Sequence, residues 1–303
     1  MKNIKIVKLK VIKILVLVLF VCYISESKAQ FSDLVQLEYS FIPKTKSEDQ
    51  YTRYKLALNY PLKISEKNSG YLFFGTEFNR IVLDLNDSYP FDSEIFRTIN
   101  VIDLKLGYSF RMKNPEWRVG LLFAPRIAST LNTGITKDDI FLNGVALFTR
   151  SRTKEKGYEK PSTLILGVAY SATFGLPIPI PIVRYSREMC EHWSYGVGIP
   201  SANLTYTFNE ENNLRAFVNF DGYFANIQKP LTVNGESVNS ISLSVAVLGL
   251  GYEYSFTKNL IFYINSGFTL SMNNVLRNED RDKVFVLDNM NAFYLRTGLK
   301  FQL

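Results

Sequence analysis

The stretch NAFYLRTGLKFQL, residues 291–303, alternates from end to end. Phe293, Leu295, Thr297, Leu299, Phe301 and Leu303 fall on one side, and Tyr294, Arg296, Gly298, Lys300 and Gln302 on the other. Successive side chains of a strand point to opposite faces, so this is a strand with one greasy face and one wet face. It reaches the last residue of the sequence without the polar tail that frays from the end of most soluble domains. Such an ending is expected of a strand that has to pair along its whole length.

The same alternation recurs along the chain. VQLEYSF (35–41) sets Val35, Leu37, Tyr39 and Phe41 against Gln36, Glu38 and Ser40. YTRYKLALNY (51–60) sets Tyr54, Leu56, Leu58 and Tyr60 against Arg53, Lys55 and Asn59. NVIDLKLGYSF (100–110) sets Ile102, Leu104, Leu106, Tyr108 and Phe110 against Asp103, Lys105, Gly107 and Ser109. WRVGLLFAPR (117–126) sets Trp117, Val119, Leu121 and Phe123 against Arg118, Gly120 and Arg126. From Phe31 onward no stretch holds a helical period, and the fold class is all-β.

Two-faced strands suit a soluble sandwich, whose apolar faces meet each other. They also suit a membrane barrel, whose apolar face meets lipid while the polar face lines the lumen. Three features select the transmembrane antiparallel β-barrel. The alternating runs reach about ten residues, the length at which a tilted strand crosses a bilayer, whereas sandwich strands average nearer six. The polar faces combine charged residues with glycines, as a crowded hydrated interior requires. Aromatic rings also cluster at strand ends beside short turns: Tyr60 and Tyr71, Phe110 and Trp117, Tyr206 and Phe208, Phe256 and Phe262. Rings with one wet edge favour the membrane–water boundary.

Short connections at 63–70, 111–116, 153–161, 209–213 and 257–259 then belong on the periplasmic side. Long ones at 81–98, 128–139, 226–239 and 273–289 belong outside, and both termini are periplasmic. With 175–192 taken as one further outer connection, about twelve strands result: 33–42, 51–62, 71–80, 100–110, 117–127, 141–152, 162–174, 193–208, 214–225, 240–256, 259–271 and 290–303. If the IVRYSRE stretch (182–188) itself spans, the count becomes fourteen. The ending also resembles the C-terminal signal that commits bacterial barrels to the barrel-assembly machinery. Gly298, Leu299, Phe301 and Leu303 occupy its positions, with Leu where an aromatic is usual at the end.

The first residues have a different character. Lysines precede the apolar run ILVLVLFVCYI (14–24), and SKA (27–29) precedes Gln30, the order of a secretory signal peptide cleaved between Ala29 and Gln30. The expected organisation is a signal peptide at 1–29 and an outer-membrane β-barrel domain at 30–303. Six of the 35 basic residues and one of the 28 acidic ones leave with the leader, so the remainder is 29 against 27. The basic pI near 9.1 is mostly a property of the leader, and a nucleic-acid partner loses its support. Only Cys190 remains of two cysteines, which excludes an internal disulfide.

GLPIPIPIVRYSREMCEHW (175–193) is the least regular part of the chain. Pro177, Pro179 and Pro181 at alternate positions strip donors from one edge, which argues against a central strand. The segment is expected at the rim or folded into the lumen, where Arg184, Arg187 and Glu188 would make it a constriction or plug; a stiff cover over a sheet edge is the plainer account. His192 and Ser194 have the spacing seen in outer-membrane lipid hydrolases, but no acidic or amide partner orients the imidazole, so no catalytic residue is assigned. No phosphate-binding loop or dinucleotide fingerprint is present, and no cofactor or metal site is expected. Loop carboxylates such as Asp138, Asp139, Glu279, Asp280 and Asp282 read as solvated charge.

The lumen-lining candidates are Arg53, Lys55, Asn59, Glu77, Asn79, Asp103, Lys105, Arg118, Arg126, Asn219, Asp221, Glu253, Asn265, Arg296 and Lys300. Their mixed signs suit either a cross-braced, filled barrel or a narrow polar pore. YSFIPKTK (39–46), YKLALNYPL (54–62), PIPIPIVRYSR (177–187), WSYGVGIPSANLTYTFNE (193–210) and NFDGYFANIQ (219–228) together resemble a Bacteroidota outer-membrane barrel family of unknown function, family 6268. The resemblance implies an envelope location and a barrel and transfers no site residue. The expected function is an outer-membrane channel for small polar solutes, not an enzyme, in contact with outer-membrane lipid. A closed barrel serving as scaffold or surface-binding protein is the alternative, and a lipid hydrolase through His192 and Ser194 a remote one.

Overall fold

A sheet of alternating strands exposes unpaired backbone groups at its two edges, and closing the sheet removes both. The computed structural model describes residues 33–43, 48–65, 69–154, 157–271, 274–287 and 291–302. The expected leader with its Ala29–Gln30 cleavage point, and Leu303, lie outside these. The strands are β1 (Val35–Ile42), β2 (Gln50–Ser65), β3 (Gly70–Asp84), β4 (Thr98–Arg111), β5 (Trp117–Ser129), β6 (Ile140–Arg152), β7 (Ser162–Ser171) and β8 (Ile178–Glu188). They continue with β9 (Trp193–Ile199), β10 (Ser201–Thr207), β11 (Asn212–Val233), β12 (Glu236–Ser255), β13 (Leu260–Ser271), β14 (Val275–Arg277), β15 (Lys283–Val286) and β16 (Phe293–Phe301).

Neighbours in the ring are antiparallel. β16 pairs with β13 on one side and with β1 on the other, from Val35 opposite Phe301 to Phe41 opposite Leu295. Of the sixteen strands in the one sheet, β14 and β15 form a side hairpin on β12, and the other fourteen close the barrel. Val35 and Phe301 face each other, so both ends of the barrel sequence leave from one rim, the terminus end. The predicted alternation is the wall's inside and outside. Leu104, Leu121, Leu250 and Phe268 are 57%, 50%, 59% and 63% exposed on the outer surface, while Arg53 and Asp103 are 3% and 2% exposed within. An apolar outer belt of this extent belongs against lipid.

The strand number is fourteen, the alternative that follows when 182–188 spans, and not twelve. The 175–192 segment is not one connection, because β8 crosses the wall within it. Its prolines are tolerated because only one of its edges is fully paired. Pro179 and Pro181 sit opposite Tyr170 and Val168 of β7, and that ladder holds through Ile178, Ile180 and Ile182. Donors alternate in direction along a strand, so both proline nitrogens face away from β7. On that side the β8–β9 ladder begins only at Val183, opposite Ile199. The predicted strand at 193–208 folds back as the short hairpin β9–β10, which pairs from Trp193–Tyr206 to Gly196–Asn203. Gly198 permits this turn: its φ is 155° and a Cβ there would sit 2.0 Å from the Val183 carbonyl.

The predicted loop 226–239 is also strand. β11 and β12 run on together to a turn at Asn234 and Gly235, with φ of 53° and 84°, the Asn-Gly hairpin geometry. Above Asn219 this pair leaves the wall. Asn226 pairs with Ser129 of β5, six strands away around the ring, so the hairpin crosses the lumen. Its apolar residues Tyr223, Ala225, Ile227, Val233, Val238 and Ile241 pack on the inward-facing Ile81, Leu83, Ile99, Val101 and Ala128. The barrel is thus filled by an apolar core at the far end.

Lipid exposure makes Leu250 a test of the wall. Leu250→Arg is expected to lower unfolding stability in phospholipid by about 2–4 kcal/mol, as at a bilayer midplane. A water-facing leucine would cost within about 0.5 kcal/mol, and a change that small in a urea titration would refute the belt.

Candidate functional site: a charged partition in the lumen

Beneath the apolar core the inward faces of β1, β2, β11 and β16 are polar, and β11 brings Asp221 into their midst. Arg53 on β2 donates to Asp221 Oδ2 at 2.7 Å, to Glu38 Oε1 at 2.5 Å and to the Tyr223 hydroxyl at 2.6 Å. Arg296 on β16 donates to the same Asp221 oxygen at 2.6 Å and lies 3.4 Å from Glu38. The Tyr263 hydroxyl donates to Glu38 Oε2 at 2.8 Å. Two arginines therefore share two carboxylates, the four side chains coming from three neighbouring wall strands and the inward-leaning β11.

A second tier lies alongside. Lys105 donates to Glu77 at 2.7 Å, with Lys55 3.6 Å from the same oxygen, and Asn79 supports the other oxygen of Glu77 at 2.9 Å. Arg126 grips Asp103 with two hydrogen bonds of 2.8 and 2.9 Å. In these tiers five basic groups (Arg53, Lys55, Lys105, Arg126, Arg296) meet four carboxylates (Glu38, Glu77, Asp103, Asp221). Charges taken out of water at this cost persist only when paired and hydrogen-bonded.

The partition separates two cavities. The one toward the far end, of about 110 Å³, is bordered by Ile42, Tyr51, Leu83, Val245 and Leu287 and is mainly apolar. The one toward the terminus end, of about 270 Å³, is mainly polar, with Arg53, Lys55, Arg126 and Arg296 against Glu77 and Asp221. Asp221, Tyr223, Tyr294 and both arginines border each.

Of the predicted lumen residues, Arg53, Lys55, Glu77, Asn79, Asp103, Lys105, Arg126, Asp221 and Arg296 come together in these tiers, and Asn219 lines the larger cavity. Glu253 lies lower, 3.5 Å from Lys300 and 3.3 Å from Arg215, with Asn265 3.5 Å from Arg215. Asn59 donates to the Asp33 carbonyl at 2.7 Å. Arg118 bonds Ser69 and Ser109 and lies over the ring of Tyr71, which faces inward and is not part of the outer girdle. Glu38, Tyr223, Tyr263, Tyr294 and Arg215 are additions to the predicted set. Glu38 was legible on the polar face of 35–41 and Tyr294 on that of 291–303; Tyr223 and Tyr263 were not, because an inward and a girdle tyrosine read alike.

The predicted constriction residues do not converge. Pro177 is buried in the β7–β8 turn, Pro179 and Pro181 face outward, and Arg187 and Glu188 are exposed at the terminus end. Only Arg184 turns inward, where it donates to Ser201 Oγ and Asn203 Oδ1, each at 2.5 Å, and holds the β9–β10 hairpin to the wall. His192 is exposed, and its Nδ1 meets the Thr207 carbonyl at 2.9 Å, a backbone group and not a carboxylate. In the C-terminal strand Gly298 faces Glu38, and Leu299 is on the outer surface.

Asp139 is no solvated loop charge. It is fully buried in the 3-10 turn Lys137–Asp139 and accepts from Asn226 at 2.8 Å, Gln228 at 2.7 Å and the Thr136 amide at 2.7 Å. Burial pushes its carboxyl up, and hydrogen bonds from Asn226, Ser129, Thr136 and Gln228 outweigh that and hold it below the usual value. It anchors the crossing hairpin to the opposite wall.

A family model described as a domain of unknown function, DUF6268, matches residues 23–302, and the chain belongs to that family. It is similar to the uncharacterized protein YaiT of Salmonella typhimurium strain LT2, 24% identical over 187 residues, which is 61% of this chain; the match spans only 18% of that longer protein. Among solved structures it is similar to the NanC porin (11% identity, 89% of this chain and 100% of that one, TM-score 0.39). It is also similar to the KdgM porin (9%, 89% and 99%, 0.37) and to LpxR from Salmonella typhimurium (10%, 88% and 100%, 0.36).

One outcome tests the cluster and another the Asp139 anchor. Arg53→Ala leaves Glu38 and Asp221 with one cation fewer and is expected to cost about 3–5 kcal/mol in unfolding titrations, as for other broken buried pairs. The Asp139 carboxyl is depressed in the fold, so its stabilisation is complete above the unfolded carboxylate pKa of about 4 and fades as pH falls through the folded value. Amide protection at 226–233, corrected for intrinsic exchange, should fall at low pH in the wild type and lose that pH step in Asp139→Asn.

Proposed function

We propose that this chain is an outer-membrane channel for small polar solutes, closed in the state described, whose gate is the β11–β12 hairpin latched through Asp221. The observation that carries the reading is the charged partition between two cavities: one side chain on the crossing hairpin, Asp221, bridges Arg53 and Arg296 on the fixed wall. The hairpin is held both by its apolar packing and by these bridges, and the bridges through Asp221 are the part that a change at one side chain releases. Behind the partition the polar lining, with more basic than acidic groups, suits hydrated solutes. The lysine-rich leader, the C-terminal signal and the turn lengths support export, insertion by the barrel-assembly machinery and periplasmic termini. The family resemblance supports a Bacteroidota envelope. The role is one of passage and not catalysis, since His192 is orientated by a carbonyl.

The apolar packing of the crossing hairpin favours a second reading, a permanently closed barrel that acts as scaffold or binds partners through its far-end loops. Planar-bilayer recording separates the two. The wild type should show brief openings. Asp221→Asn, losing charge-assisted hydrogen bonds worth roughly 1.5–3 kcal/mol, should raise open probability roughly ten- to a hundredfold. Heat-modifiable, folded protein that stays silent in both forms would establish the closed barrel instead.

A further inference from the structure

The wall is incomplete between β8 and β11. β9 and β10 are seven residues each, and their ladders with the flanking strands stop at Val183–Ile199 and Ser201–Asn219. Above that level β8 continues through Ile178–Ile182, roughly 16 Å of strand at ~3.3 Å per residue, while β11 bends away into the lumen. The gap lies beside β7 positions that are still on the outer apolar surface, since Val168 and Tyr170 are exposed there and pair with Pro181 and Pro179. It therefore opens at the depth of lipid, not above it.

A free sheet edge in hydrocarbon costs several kcal/mol for every unsatisfied backbone group. At the free edge of β8 the sequence places Pro179 and Pro181, whose nitrogens carry no proton and face the gap. At these two positions the edge therefore leaves no unpaired donor, and only carbonyls face the gap. Among the described residues the cover is the β7–β8 turn. Phe174 packs on Phe220 with ring centroids 5.1 Å apart, Ser242 Oγ donates to the Gly175 carbonyl at 2.5 Å, and Gly222 lets the turn lie so close that a Cβ there would be 2.4 Å from the Thr173 carbonyl. Immediately inside this turn is the larger cavity, whose lining includes Ser171, Thr173 and Phe220 at the gap and Lys55, Arg126 and Arg296 deeper in.

We infer that this gap is a lateral entry from the bilayer, and that the cavity behind it receives the head of a single-chain amphiphile bearing one negative charge, such as a long-chain carboxylate, whose tail stays in the gap between the prolines of β8 and Phe220. Val168, Tyr170, the two prolines and the Phe174–Phe220 ring pair are the apolar groups beside the gap, and in the cavity lining Arg53, Lys55, Arg126 and Arg296 outnumber Glu77 and Asp221. The inference uses the membrane placement of the barrel but is independent of whether the lumen conducts.

The test uses the membrane-purified protein in nanodiscs, with Cys190→Ser, and a photoactivatable dodecanoate carrying a diazirine near its carboxylate. Labelled peptides are mapped by mass spectrometry. Insertion is expected in 171–176 and 217–223, competed by dodecanoate and several-fold less by dodecanol, and reduced several-fold by Lys55→Gln. Joining Phe174→Cys to Phe220→Cys with a short thiol cross-linker should abolish lumen labelling and leave outer-wall labelling unchanged; cleaving the linker should restore it. Heat-modifiable migration verifies the fold of each variant. Labelling confined to outward residues overturns the site, and lumen labelling that survives the cross-link overturns the route.

Discussion

In a bilayer no water is available to a backbone amide or carbonyl, so a sheet that enters one must satisfy its edges internally. That requirement organises the whole molecule. It is met by the pairing of β16 with β1, which joins the two ends of the strand sequence, and by antiparallel ladders round the rest of the ring. Once the ring is closed, alternation sends one set of side chains into lipid and the other into the lumen. The lumen then has to be filled with groups that tolerate one another.

It is filled in two ways, according to depth. Near the far end, the β11–β12 hairpin brings aliphatic residues against Ile81, Ile99 and Val101, and burial of apolar surface supplies the stabilisation. Deeper, the same hairpin brings Asp221 between two arginines, and pairing supplies it. The ionic part depends on each partner being present. A hairpin secured by both can hold the lumen shut while retaining a small number of contacts whose loss would release it.

Where the requirement for closed edges is relaxed, the sequence compensates locally. The short β9–β10 hairpin leaves residues 178–182 of β8 with one unpaired edge, and alternate prolines remove the donors from that edge. The same residues argue against a strand when read in isolation. Proline is hostile to a strand with two neighbours and compatible with a strand that has one, and the number of neighbours is a property of the tertiary structure.

The sequence by itself determined the class of fold, most strand positions, and the inward set from Arg53 to Arg296, because a period of two is a local property that survives without knowledge of neighbours. The Asn-Gly pair at 234–235 carries a hairpin-turn signature that the expectation of a loop over 226–239 did not use. Strand number, the wall gap and the pairing of particular charges were decided only by tertiary structure. Asp221 and Arg296 are 75 residues apart, and Arg53 and Asp221 168 apart. Nothing local relates them; closure of the ring and the inward lean of one hairpin bring them within hydrogen-bonding distance.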